Sequence, residues 1–162
     1  NKEKPLVYKT YQMYRKDSVD TFLNDISKSR NYNIGFKIVR GAYMNQDKKY
    51  NIICDSYNET NENYNNAIEL FCKLNKLNDK LLCATHNEES INIAVDKINK
   101  NNYFNKIEFA QLMGMSDNLS NKLSKKGYIT YKYLPYGNLY ESIPYLIRRL
   151  YENYPMLLNI LK

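Results

Sequence analysis

The residues best suited to chemistry lie in one stretch near the C-terminus, residues 133–153, reading YLPYGNLYESIPYLIRRLYEN. Within it Tyr145, Arg148, Arg149 and Glu152 are spaced so that a helix brings all four to one face. Two adjacent guanidiniums make a planar, permanently charged fork that suits a carboxylate or a phosphate. Glu152 is spaced to pair with one of them and fix its direction. A solvated helix face has the same composition, and most surface charge does nothing specific. Position separates the two readings. The pair follows a strand and a turn through Leu134, Pro135, Tyr136 and Gly137, which is where α/β proteins place their ligands.

A helix of that kind needs a scaffold, and the upstream chain supplies strands and helices in alternation. Residues 6–12 (LVYKTYQ) have strand character. Asp17 or Ser18 can cap a helix whose stripe is Val19, Phe22, Leu23 and Ile26, broken by Asn31, Asn33 and Gly35. FKIV at 36–39 is the short apolar run of a buried parallel strand. Residues 45–56 are polar and read as a loop, and a helix from Glu59 buries Tyr64, Ala67, Ile68, Phe71, Cys72 and Leu74. Strand 81–84, helix 90–98, strand 106–109, a helix capped by Ser116 and closed by Gly127, and strand 128–133 complete the series. Such alternation implies a parallel sheet, and function gathers just past the C-terminal ends of parallel strands. Arg40, Gly41, Ala42 and Tyr43 stand past the second strand, Thr85, His86 and Asn87 past the third, Gln111 and Leu112 past the fourth. Gly41 and Ala42 permit close approach to the backbone; Arg40 and Tyr43 supply a charge and an aromatic face.

Composition narrows the classes. The chain's 162 residues suit one domain, and 43% hydrophobic with 25% charged residues is globular rather than disordered. A net charge of +7 permits a polyanion, but the lysines are scattered in ones and twos, so no nucleic acid partner is expected. Three cysteines without C-x-x-C spacing and a single histidine exclude a structural zinc site, and no metal is expected. The odd cysteine count fits a reducing compartment. No apolar run approaches the ~20 residues of a membrane span. The absence of G-x-G-x-x-G and G-x-x-x-x-G-K leaves a Rossmann site and a P-loop unsupported. Five strand-helix units with function-like residues at every strand end suit part of a (βα) barrel. The first strand-like run starts at Leu6, almost at once, so the chain is expected to enter a fold part-way.

Together, IVRGAYM (38–44), ATHNEES (84–90), FAQLMGMSD (109–117), YKYLPYG (131–137) and IPYLIRRLYEN (143–153) strongly resemble proline dehydrogenase in wording, order and spacing. The similarity runs from about Leu6 to about Asn153 and is greatest to the monofunctional eukaryotic type. The resemblance implies an α/β fold, the C-terminal part of a (βα)8 TIM-like barrel, with residues 6–12 as its fourth strand. It places the barrel domain at 1–153 and a tail at 154–162. It implies FAD-dependent oxidation of L-proline to Δ1-pyrroline-5-carboxylate, hydride passing to flavin N5. By the same resemblance Arg148 and Arg149 hold the proline carboxylate. Tyr43, Tyr133 and Tyr145 pack around the ring, Leu112 adds an apolar wall, and Lys37 stands near the flavin. Val39, Arg40, Gly41, Ala42, Thr85, His86, Asn87, Gln111 and Glu152 complete the cofactor contacts. A membrane quinone or other electron acceptor, peripheral membrane association and the matrix side of the mitochondrial inner membrane are implied as well. The family's lysine and aspartate on early strands have no counterpart in this sequence. A barrel lacking its first three strands exposes sheet edges, so by this resemblance the chain is expected to be the C-terminal part of a larger enzyme. Two other readings are a partial barrel that keeps the motifs without the activity and a basic interaction module.

Overall fold

The computed structural model describes residues 5, 7–28, 32–76 and 78–152, and for 45, 46, 141, 150 and 152 the backbone alone. Its elements are β1 (Tyr8–Gln12), α1 (Ser18–Ser27), β2 (Gly35–Val39), α2 (Met44–Asp47), a 3₁₀ turn (Lys48–Tyr50), α3 (Tyr57–Leu74) and β3 (Lys80–Ala84). There follow α4 (Glu88–Asn101), β4 (Ile107–Leu112), α5 (Asp117–Lys125), β5 (Thr130–Tyr133) and α6 (Leu139–Glu152). They form two compact units, Asn1–Lys132 and Tyr133–Lys162.

The sheet order is β1-β2-β3-β4-β5, and β1 to β4 pair in parallel. Neighbours in space are neighbours in sequence, without the reversal of a doubly wound sheet. That is the wall of a barrel, as the alternating pattern predicts. Thr10, Lys37 and Leu82 stand abreast, as do Tyr11, Ile38 and Cys83.

Strand side chains alternate between faces, so one set of every strand lies beneath the helices. Tyr11, Phe36, Ile38, Leu81, Cys83, Ile107 and Phe109 form the sheet side of the core. Phe22 and Ile26 of α1, Phe71 of α3 and Ile98 of α4 press on them. Phe36 is the meeting point, with ring centroids 5.2 Å from Phe22 and 6.1 Å from Phe71. Burying each such side chain contributes about 1.5–3 kcal/mol.

At the amino ends of the strands the opposite face holds a polar lock. Glu108, 2% exposed, accepts the Tyr8 hydroxyl at 3.1 Å and pairs with the Lys80 ammonium. Burial first, then the Glu108 charge, pushes the Tyr8 phenol well above its ordinary range. The Tyr8 ring lies so close to Gly35 that a Cβ there would meet it at 2.5 Å.

Local signals set most boundaries. Ser56 accepts the Glu59 N–H at 3.1 Å, so α3 starts two residues before Glu59. Residues 45–56, expected to be a loop, hold most of α2 and the 3₁₀ turn. β4 runs to Leu112, so Gln111 and Leu112 belong to the strand rather than to the turn after it. Leu23 and Leu74, expected in apolar stripes, lie on the exposed sides of their helices. In the second unit α6 begins where the Asn138 side chain accepts the Tyr140 N–H at 3.1 Å, and Pro144 lies inside it. The expected strand start at Leu6 and the expected boundary after residue 153 lie outside the described residues.

Candidate active site

Strand parity divides the candidates between two faces. Lys37 and Val39 of β2 share a face with Ala84 of β3 and with Ala110 and Leu112 of β4, away from the helices. Arg40, Thr85 and Gln111 fall on the helix side. A period of two leaves no other arrangement once the register is fixed.

On the helix side, Arg40 is enclosed by partners. Its Nε donates to Asn61 Oδ1 at 2.9 Å, Nη1 to the Thr85 hydroxyl, and Nη2 to the Ser90 hydroxyl at 3.0 Å. The guanidinium carbon lies 4.5 Å from the ring centroid of the buried Tyr64. Gln111 is buried, donating to the Thr85 carbonyl at 3.3 Å and accepting the Ser120 hydroxyl at 3.0 Å. Asn87 caps α4 by accepting the Ser90 N–H at 2.9 Å, and its own N–H donates to Thr85 Oγ1 at 3.1 Å.

On the other face the Lys37 ammonium makes no hydrogen bond or ion pair among the described residues. It stands between Thr10 and Leu82 in register. Gly41 turns the chain at φ +140°, and the Ala42 N–H donates to Gln12 Oε1 at 3.2 Å. Tyr43 is exposed at the head of α2. That short helix is latched from below, the Tyr14 hydroxyl donating to Asp47 and Arg15 standing 3.7 Å from the same carboxylate.

His86 is half-buried, its Nδ1 3.1 Å from the Ser116 hydroxyl. Ser116 sits at the cap position of α5 in a left-handed conformation and makes no side-chain cap bond, so its hydroxyl serves the histidine instead. Lys132 donates to the Met115 carbonyl at 2.7 Å and to Asp117 at 2.6 Å. Burial, and then the Lys132 charge, lowers the His86 pKa, which favours the neutral imidazole.

In the second unit Tyr133 and Tyr145 tilt together with centroids 6.2 Å apart, and the Arg149 guanidinium lies 5.4 Å from the Tyr145 ring. Tyr145 and Arg149 thus share the helical face that their spacing predicts. Arg148 is exposed and has no hydrogen bond or ion pair among the described residues. The Glu152 side chain lies outside the described residues.

Sequence reading passed over Gln12, Asn61, Ser90 and Lys132, and it took Ser116 for a cap only. Lys132 was within reach, because it alternates with Tyr131 and Tyr133 at a strand end. Nothing local marks Gln12 or Asn61.

A family model described as proline dehydrogenase matches residues 1–157. The chain is 39% identical to proline dehydrogenase 2, mitochondrial, of Arabidopsis thaliana, over 97% of its own length and 36% of the relative's. It is 36% identical to hydroxyproline dehydrogenase of Xenopus laevis, over 100% of its length and 38% of the relative's. To the human proline dehydrogenase 1, mitochondrial, it is 35% identical, over 94% and 28%. It therefore spans about a third of the length of these relatives. Its fold matches the crystal structure of proline utilization A from Bdellovibrio bacteriovorus inactivated by N-propargylglycine. The TM-score is 0.85 at 23% identity, over 94% of this chain and 17% of that one. The motifs at the strand ends, the parallel barrel wall and a match over nearly the whole chain agree, and the chain belongs to the proline dehydrogenase family.

Proposed function

We propose that this protein is a flavin-dependent dehydrogenase that oxidises L-proline to Δ1-pyrroline-5-carboxylate. The observation that carries the reading is the collection of family motif residues at adjoining ends of parallel strands. Gly41, His86 and Gln111 come from three successive strand ends of one sheet.

The residues fit a flavin. An ammonium with no partner among the described residues, Lys37, shares its sheet face with Val39, Leu82, Ala84 and Ala110. A cation there suits an aromatic ring system that gains negative charge on reduction. Once bound, FAD would supply the acceptor for hydride from the carbon next to the proline nitrogen. Arg148 and Arg149 bind the carboxylate through charge-assisted bonds of about 1.5–3 kcal/mol each. Tyr133 and Tyr145 contribute aromatic walls, Tyr43 and Leu112 further ring contacts. Val39, Gly41, Ala42, His86 and Asn87 form the cofactor side, and Thr85 and Gln111 brace that strand end from the helix side. A quinone acceptor, peripheral association with a membrane and a place on the matrix side of the inner mitochondrial membrane belong to the same reading. The mitochondrial names of the relatives support the location. The relative named hydroxyproline dehydrogenase, at 36% identity, keeps 4-hydroxy-L-proline as a second substrate reading.

The test is the absorbance spectrum of the purified full-length gene product. We expect the visible band of an oxidised flavin, bleached anaerobically by L-proline. A band bleached by 4-hydroxy-L-proline alone transfers the assignment to the second substrate. Absence of the band, or its persistence with both amino acids, leaves a barrel that keeps the fold without the activity.

A further inference from the structure

Arg40 directly follows β2 on the helix side, the face opposite Lys37. Its fork reaches three acceptors on three elements: Asn61 on α3, Thr85 past the end of β3, and Ser90 in the first turn of α4. Tyr64 supplies the platform beneath, 4.5 Å from the guanidinium carbon, so charge and plane are both satisfied. All these partners are buried or half-buried. A half-buried guanidinium held by three hydrogen bonds is set by its partners and in turn sets what it holds.

What it holds is the segment that begins with Thr85. Thr85 Oγ1 accepts both from Arg40 and from the Asn87 N–H. Asn87 Oδ1 accepts the Ser90 N–H, and the Ser90 hydroxyl, after accepting from Arg40, donates to Asn65 Oδ1 at 2.6 Å. The segment Thr85-His86-Asn87 is therefore clamped at both ends by groups that bond one guanidinium. His86, between them, turns to Ser116.

We propose that Arg40 is a positioning residue: from the helix side it fixes the Thr85-His86-Asn87 strand end, and cofactor binding at that strand end depends on it. The proposal rests on the flavin reading above. It reassigns Arg40 from cofactor contact to strut. Lysine keeps the charge but offers a single point donor, which cannot span Asn61, Thr85 and Ser90 together.

The experiment uses Arg40→Lys, Ser90→Ala and the double variant of the full-length gene product, with FAD as the titrant. We expect Arg40→Lys to raise the FAD dissociation constant about tenfold and to alter the circular dichroism of the bound flavin. Ser90→Ala should weaken binding several-fold, and the double variant should be no weaker than Arg40→Lys, because both act through one strut. Additive losses, or a loss in Arg40→Lys with none in Ser90→Ala, put the guanidinium on the cofactor itself and overturn the proposal. Amide hydrogen exchange decides the matter without flavin. In Arg40→Lys the Asn87 and Ser90 amides should exchange about tenfold faster while those of α1 keep their rates. Unchanged exchange at those two amides overturns the proposal. Absence of flavin in the wild type overturns the functional reading alone, and the exchange result still stands.

Discussion

The ring of Tyr14 occupies the space that a side chain on Gly41 would need. A Cβ built on Gly41 would lie 1.5 Å from Tyr14 Cδ1 and 1.7 Å from Cε1, and the residue sits at φ +140°. The same tyrosine bonds Asp47 through its hydroxyl, so the turn after β2 and the helix that follows it share one support. Gly41 is thus required by the protein's own packing, whatever approaches the turn from outside.

Gly41→Ala is therefore expected to destabilise by about 2–5 kcal/mol, combining backbone strain with overpacking. Gly114, at φ +76° with nothing within 4 Å of its would-be Cβ, provides the control. Gly114→Ala should cost only about 1–2 kcal/mol of left-handed strain. Urea midpoints at constant slope read both. Equal shifts in the two variants would mean that the Tyr14 ring moves aside freely.

His86 gives stability a pH dependence whose sign is fixed. Burial and Lys132 hold its folded pKa below the ordinary 6.5. As pH falls, the unfolded chain takes up the proton first, so His86 contributes stability that is present above about pH 6.5 and lost below it. The unfolding free energy, measured between about pH 8 and pH 5, should fall more steeply with acid in the wild type than in His86→Asn. Lys132→Met should bring the histidine titration, followed by NMR, back toward its ordinary value. If the acid limb is the same in wild type and His86→Asn, the histidine does not couple to folding.

Arg148→Met and Arg149→Met test the carboxylate clamp. Each removes charge-assisted bonds of about 1.5–3 kcal/mol, so the Michaelis constant for proline should rise about 10- to 150-fold while the flavin absorbance is retained. Wild-type proline affinity in both variants would sink the clamp.

The sequence by itself determined the order of elements and the family. Its signals for these are local: the runs FKIV and LLCA are strands because they are short and apolar, and Ser56 and Asn87 open helices because their side chains cap the residues that follow. The pairing of Tyr145 with Arg149 was legible for the same reason, since one turn of helix brings them together. Only the tertiary structure decided which face each candidate takes. Gln111 was expected past a strand end, but β4 extends through it and its parity turns the amide toward Thr85 and Ser120. Arg40 reads in sequence as a free charge at a turn. Its partners, Asn61, Thr85 and Ser90, lie 21, 45 and 50 residues away, and no local pattern names them. His86 was singled out by its strand end, but its protonation is set by burial and by Lys132, a residue of another strand. Propensity and capping act within a turn or two of chain, whereas register, burial and the fields of distant charges exist only once the sheet has formed.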